Sequence, residues 1–99
     1  MEKVIQDILK ERQRQNDKWG EQNHSPFDWM PILMEELGEA SKEAVDWRCD
    51  NPVSENGVSR KATYDDRHKR LLDYRKELIQ LAAVTIQAIE SFDRNFDFK

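Results

Sequence analysis

The 99 residues are 37% hydrophobic and 36% charged, with a net charge of −4 and a pI near 5.2. That length bounds the chain to one domain, 1–99, near the lower limit for a self-sufficient core. The acidic balance argues against nucleic acid as a partner, since such domains are normally basic. No run approaches the ~18 apolar residues of a membrane span, and no signal-like segment follows Met1. The single Cys49 allows no internal disulfide, so a cytoplasmic location without membrane contact is expected.

In chain order, Val4, Ile5, Ile8 and Leu9 mark the apolar face of a first helix, from about Glu2 to Lys18, with Gly20 ending it. Gly20 to Ser25 reads as a polar loop. Ser25-Pro26-Phe27-Asp28 starts a second helix: a capping serine, proline at the first position and an acid three residues on. Pro31 offers an alternative first turn, with Ser25 to Met30 as a lead-in. This helix continues to about Arg48 on a stripe of Ile32, Leu33, Leu37, Ala40, Ala44 and Val45. Turn-forming residues fill 49–62. Thr63 with Asp66 predicts a capping box. From there to about Phe92 there is neither glycine nor proline, so one long helix or two in series is expected. Leu71, Leu72, Leu78, Ile79, Ala82, Val84, Ile86 and Ile89 would supply its buried side. Phe96 and Phe98 in the tail suggest docking onto a neighbour. No segment sustains strand alternation, so the fold class is all-α. We expect a bundle of long antiparallel helices, of the four-helix type. One short first helix cannot cover the apolar sides of so long a third one, so a homodimer or homotetramer should complete the bundle.

Within the second helix, Glu35-Glu36-Leu37-Gly38-Glu39-Ala40 places three carboxylates in five residues. A helix turns about 100° per residue, so Glu36 and Glu39 project from one face, about 4.5 Å apart along the axis. Two such carboxylates repel unless a cation lies between them. Glu77 opens a similarly patterned segment. If the two helices pack antiparallel, their carboxylates build an oxygen cage for Mg2+ or Mn2+. The alternative is a solvated acidic face with Lys42 partnering Glu39. Glu36 neighbours Leu33, Leu37 and Ala40, which favours the cage, and Gly38 inside a helix suggests close approach of a ligand or helix.

The run EELGEA, followed by ELIQLAAV and Ala88-Ile89-Glu90, resembles the MazG-like all-α nucleoside triphosphate pyrophosphohydrolases, most closely their short single-domain members from bacteria and phages. Glu11 to Gln15, leading into Asp17-Lys18-Trp19-Gly20-Glu21-Gln22, is similar to the stretch before the acidic motif in those members. The resemblance spans about Glu11 to Glu90. It implies magnesium bound by ExxE on one helix and ExxD on the next. Glu36 and Glu39 match the first pair and Glu77 opens the second, but Gln80 stands where the aspartate belongs. An amide oxygen ligates a hard cation more weakly. Asp73, one turn before Glu77, is a further metal candidate. The implied reaction cleaves a nucleoside triphosphate, commonly a deoxynucleotide, between its α and β phosphates to a monophosphate and pyrophosphate. Glu35 and Glu39 are the candidates for the carboxylate that takes a proton from the attacking water.

Seven basic residues against three aspartates in 60–76 invert the local charge. They form either a solvated helix face or a landing strip for the triphosphate, with Arg67, Arg70, Arg75 and Lys76 as substrate ligands. Trp19, Trp29 and Trp47 fit core or interface packing; Trp19 and Trp47 are the candidates for stacking on a base. His24 is a further base contact or a solvated loop residue. Two competing functions remain. Gln80 raises the possibility of a catalytically impaired nucleotide-sensing or protein-interaction module. The basic strip allows a nucleic-acid adaptor, whose DNA binding would fall steeply with salt.

Overall fold

The computed structural model describes residues 1–49, 57 and 61–96. Most of the expected loop after Cys49, Arg60 and Phe98 lie outside them. The described residues form three helices, α1 (Glu2–Trp19), α2 (Pro26–Cys49) and α3 (Tyr64–Asn95), with no strand among them.

Each boundary has a local cause. Gly20 closes α1 at φ 71°, a backbone conformation that glycine adopts without strain, and donates its N–H to the Asn16 carbonyl at 2.7 Å. The Ser25 hydroxyl accepts from the Asp28 N–H at 3.1 Å, capping α2 with Pro26 in its first turn. Pro31 stays inside the helix and does not begin it. At α3, Thr63 accepts from the Asp66 N–H at 3.2 Å, and Asp66 accepts from the Thr63 N–H at 2.9 Å. This reciprocal capping box matches the sequence expectation. The helix runs to Asn95, past the expected stop at Phe92. Arg94 ties that last turn to the α1–α2 connection, donating to the Gln22 carbonyl and Asn23 Oδ1 and pairing with Glu21. Phe96 caps the end and stacks on Phe92 at 5.3 Å between centroids.

The long α3 is the spine. Both α1 and α2 pack on it, and not on each other. Asp46 lies against Arg70, Glu39 interacts with Glu77, and Trp29 and Ile32 share a cavity with Val84 and Gln87. These pairings run in opposite directions, so α2 and α3 are antiparallel. Asp7 pairs with Arg75, Gln15 bonds Gln87, and Glu21 pairs with Arg94. Those numbers rise together, so α1 runs parallel to α3, as an up-down-up order of three helices requires.

The expected buried side of α3 holds in part: Val84 is buried and Ile79, Ala82 and Ile86 are half-buried, but the other four positions are not. Leu72 and Ile89 are 55% and 56% exposed, and Leu71 and Leu78 are exposed with them. The inward line is Arg70, Asp73, Glu77, Gln80, Val84, Gln87 and Ser91, spaced by alternating threes and fours, a helical seam that is mostly polar. Ala83 and Val84 supply its apolar part. Val4, Ile5 and Leu9 on α1, and Leu37 and Val45 on α2, are likewise exposed, whereas Trp29 and Ala40 are buried. The radius of gyration of 17.2 Å exceeds the roughly 13 Å of a compact 100-residue domain, as an open helical array requires.

Candidate functional site

The seam brings the carboxylates of two helices together. Glu36, Glu39 and Glu77 each present an oxygen within 4.8 Å of the others. Glu36 and Glu77 are half-buried, and Glu39 lies at the exposed rim. Burial, then the charges of Glu39, Glu77, Glu35 and Glu11, push the Glu36 carboxyl above its ordinary value. Burial also raises Glu77, followed by the charge of Glu39, a hydrogen bond with Glu39 and the charge of Glu43; Lys76 acts the other way. One oxygen of Glu36 and one of Glu77 are buried with no hydrogen-bond partner. Lys42 does not relieve this: its ammonium pairs with Asp46 at 3.0 Å, not with Glu39.

A fourth carboxylate joins from α2. Glu43 raises Glu77, and its buried Oε2 has no hydrogen-bond partner, lying 4.0 Å from Arg70. The i, i+3, i+7 spacing of Glu36, Glu39 and Glu43 was the available signal, and it extends past the short acidic motif. Glu35 is exposed and Asp73 half-buried, both outside the three-oxygen group. Gln80 lies on the seam one turn after Glu77, and its backbone carbonyl accepts from Gln15 Nε2 at 3.4 Å. No other part of the chain approaches Gly38 closely: a Cβ there would meet nothing within 4 Å.

The basic residues divide. Arg75 donates to Asp7 at 2.8 Å, and Arg70 sits 3.6 Å from Asp46, so both act as struts between helices. Lys76 is exposed and lies within the field of Glu11 and Glu77. Arg67 is exposed.

A cavity of about 190 Å³ opens beside the acidic centre, with Glu36 on its wall. Trp19 at the end of α1 and Gln22 and His24 from the α1–α2 connection line it, facing Trp29 and Ile32 of α2 and Val84 and Gln87 of α3. It is smaller than the ~300–1,000 Å³ of drug-sized sites, which suits a planar fragment. Trp29, only 4% exposed, is its fixed wall, with the His24 ring packed edge-on at 4.9 Å. Trp19 is 51% exposed, with the Lys18 ammonium over its ring. Trp47 is exposed and does not line this cavity. A wider hollow of about 480 Å³ between α1 and α3, beside Arg12, Glu90 and Arg94, contains none of the clustered carboxylates.

The donor set is all oxygen and net negative, the chemistry that hard divalent cations require. Two orphaned carboxylate oxygens within the group fit such an ion. No protein-family model, curated protein or solved structure matches this chain.

Proposed function

We propose that this chain is a Mg2+-dependent nucleoside triphosphate pyrophosphohydrolase of the MazG-like kind, acting on a deoxynucleoside triphosphate as a homodimer or homotetramer. One observation carries the reading: Glu36, Glu39 and Glu77 converge from antiparallel helices, with desolvated oxygens that lack partners. Glu36, Glu39 and Glu77 would hold the cation, and Gln80 would add a weaker neutral oxygen from the next turn of α3. Mg2+ bound there, or Mn2+ in its place, would supply charge to neutralise phosphate oxygens and lower the pKa of a nearby water. Glu35, exposed and outside the three-oxygen group, and Glu39 at its rim are the carboxylates placed to take the proton from the water attacking the α-phosphorus. Lys76 lies close enough to act on Glu77 and is the basic residue best placed for the triphosphate tail. Arg70 and Arg75 hold α3 against α2 and α1 instead.

A second reading has a specific basis. Gln80 removes one charge from the cage, which favours a nucleotide sensor that binds without turnover. Incubating the chain with each common nucleoside triphosphate and Mg2+, and measuring pyrophosphate, decides between them. Pyrophosphate and monophosphate in equal amounts are expected. Release from no triphosphate, with either Mg2+ or Mn2+, would overturn the hydrolase.

A further inference from the structure

The buried amides of Gln15 and Gln87 bridge α1 and α3, and they are 2% and 5% exposed. Their orientation is fixed from one end. Gln15 Nε2 faces two groups that only accept: Glu11 Oε2 at 2.9 Å and the Gln80 carbonyl at 3.4 Å. The Glu11 carboxylate is itself kept ionised, mainly by its hydrogen bond from Arg14. Gln15 must therefore turn its Oε1 the other way, where it accepts from Gln87 Nε2. A Gln87 amide whose nitrogen is committed to Gln15 offers its oxygen as an acceptor to the cavity it lines. Reversing that amide would set two oxygens against each other in a buried site, at the cost of an unsatisfied pair.

We infer that Gln87, oriented by Gln15 and Glu11, determines the specificity of the cavity and selects a base whose edge carries an exocyclic amine, as in cytosine or adenine, over its oxo counterpart. The inference rests on the pyrophosphohydrolase reading for taking a base as the occupant. The amine donates to Gln87 Oε1, while a carbonyl at the same place brings lone pair against lone pair. Trp29 fixes one wall, and Glu36 on the same cavity places the base beside the acidic centre.

The test uses the full chain without added metal. Indole fluorescence is followed during titration with two pairs of nucleosides that differ by amine against oxo: cytidine with uridine, and adenosine with inosine. Trp19 and Trp29 on the cavity wall supply the signal. The amino member of at least one pair should bind about tenfold more tightly, and the pair that shows it tells a pyrimidine from a purine. Gln87→Met should bring the two members of that pair together. Gln15→Met leaves Gln87 in place but frees its amide to turn, and should also erase the preference. Equal binding within both pairs, or no response to any nucleoside, would overturn the inference, and these wild-type measurements need no variant to fold. A preference that survives both substitutions would overturn it as well. The pyrophosphate assay separates this from the parent reading. Amine preference without turnover removes the hydrolase and leaves the selective pocket. Turnover with equal kcat/KM for dCTP against dUTP, and for dATP against dITP, removes Gln87 as selector and leaves the hydrolase.

Discussion

Glu36 and Glu77 hold their protons more tightly in the folded chain than in the unfolded one. A carboxyl raised in this way stabilises the fold fully below its unfolded value, here about 4.5, and loses that contribution as pH rises through the higher folded value. Asp7 and Glu11 are shifted downward, so their contributions are lost only as pH falls through their lowered values. Metal-free protein should therefore melt higher near pH 5 than at pH 7. Mg2+ should reverse the order by stabilising the ionised centre at neutral pH. Melting curves in EDTA and in Mg2+ at both pH values check this, and a flat pH response in EDTA would remove the mutual repulsion. Glu36→Gln should stabilise the metal-free chain by ~1 kcal/mol at pH 7 while abolishing turnover, the mark of a group kept for charge and not for packing. Gln80→Asp restores a carboxylate on the seam, and should lower the Mg2+ concentration needed for half-maximal activity. An unchanged metal titration would place position 80 outside the cage.

At the scale of the helix, the start of α3 depends on two reciprocal hydrogen bonds, and Thr63→Ala should cost ~1 kcal/mol in chemical denaturation. Gly38→Ala separates two situations. Open space around its Cβ in the single chain predicts a gain of ~0.5–1 kcal/mol in helix stability. A loss, measured by the same denaturation, would mean that another molecule packs there. Helix boundaries were legible because their signals are chemical and local: Gly20, Ser25-Pro26 and the Thr63–Asp66 pair. The meeting of Glu36 and Glu39 with Glu77 was legible only on the condition that the two helices pack antiparallel, since spacing shows like charges sharing a face and not what lies opposite. The inward face of α3 was legible in part. Apolar periodicity selected Val84, Ile79, Ala82 and Ile86 with some success but also Leu71, Leu72, Leu78 and Ile89, and it passed over Glu77, Gln80 and Gln87 on the packed line. Those polar residues face inward to serve one another and the carboxylate cluster, a role hydrophobicity cannot reveal. Trp29 lost to Trp19 and Trp47 in the sequence reading for a similar reason. Three tryptophans look alike until one is packed edge-on against His24 beside Glu36.

For the molecule as a whole, the outward faces carry Met34, Leu37 and Val45 on α2 and Leu71, Leu72, Leu78 and Ile89 on α3. So much apolar surface on 99 residues is the kind monomers avoid, and a second copy would cover it without lengthening the chain. Sedimentation at micromolar concentration should give a dimer or tetramer. Leu72→Lys should shift the population toward 11.8 kDa particles. An active wild-type monomer would refute the assembly and leave the exposed leucines without an explanation.

The architecture also has a mechanical consequence. Because α1 and α2 each grip α3 and not each other, the fold behaves as a clip with two independent jaws on one rail. The cavity is walled by α2, α3, the connection between the jaws and the last residue of α1, so a guest held there would latch both in place. Amide hydrogen exchange should reveal that latch: occupancy should slow exchange in α1 as well as α2, although the guest touches α1 only at its last residue, Trp19.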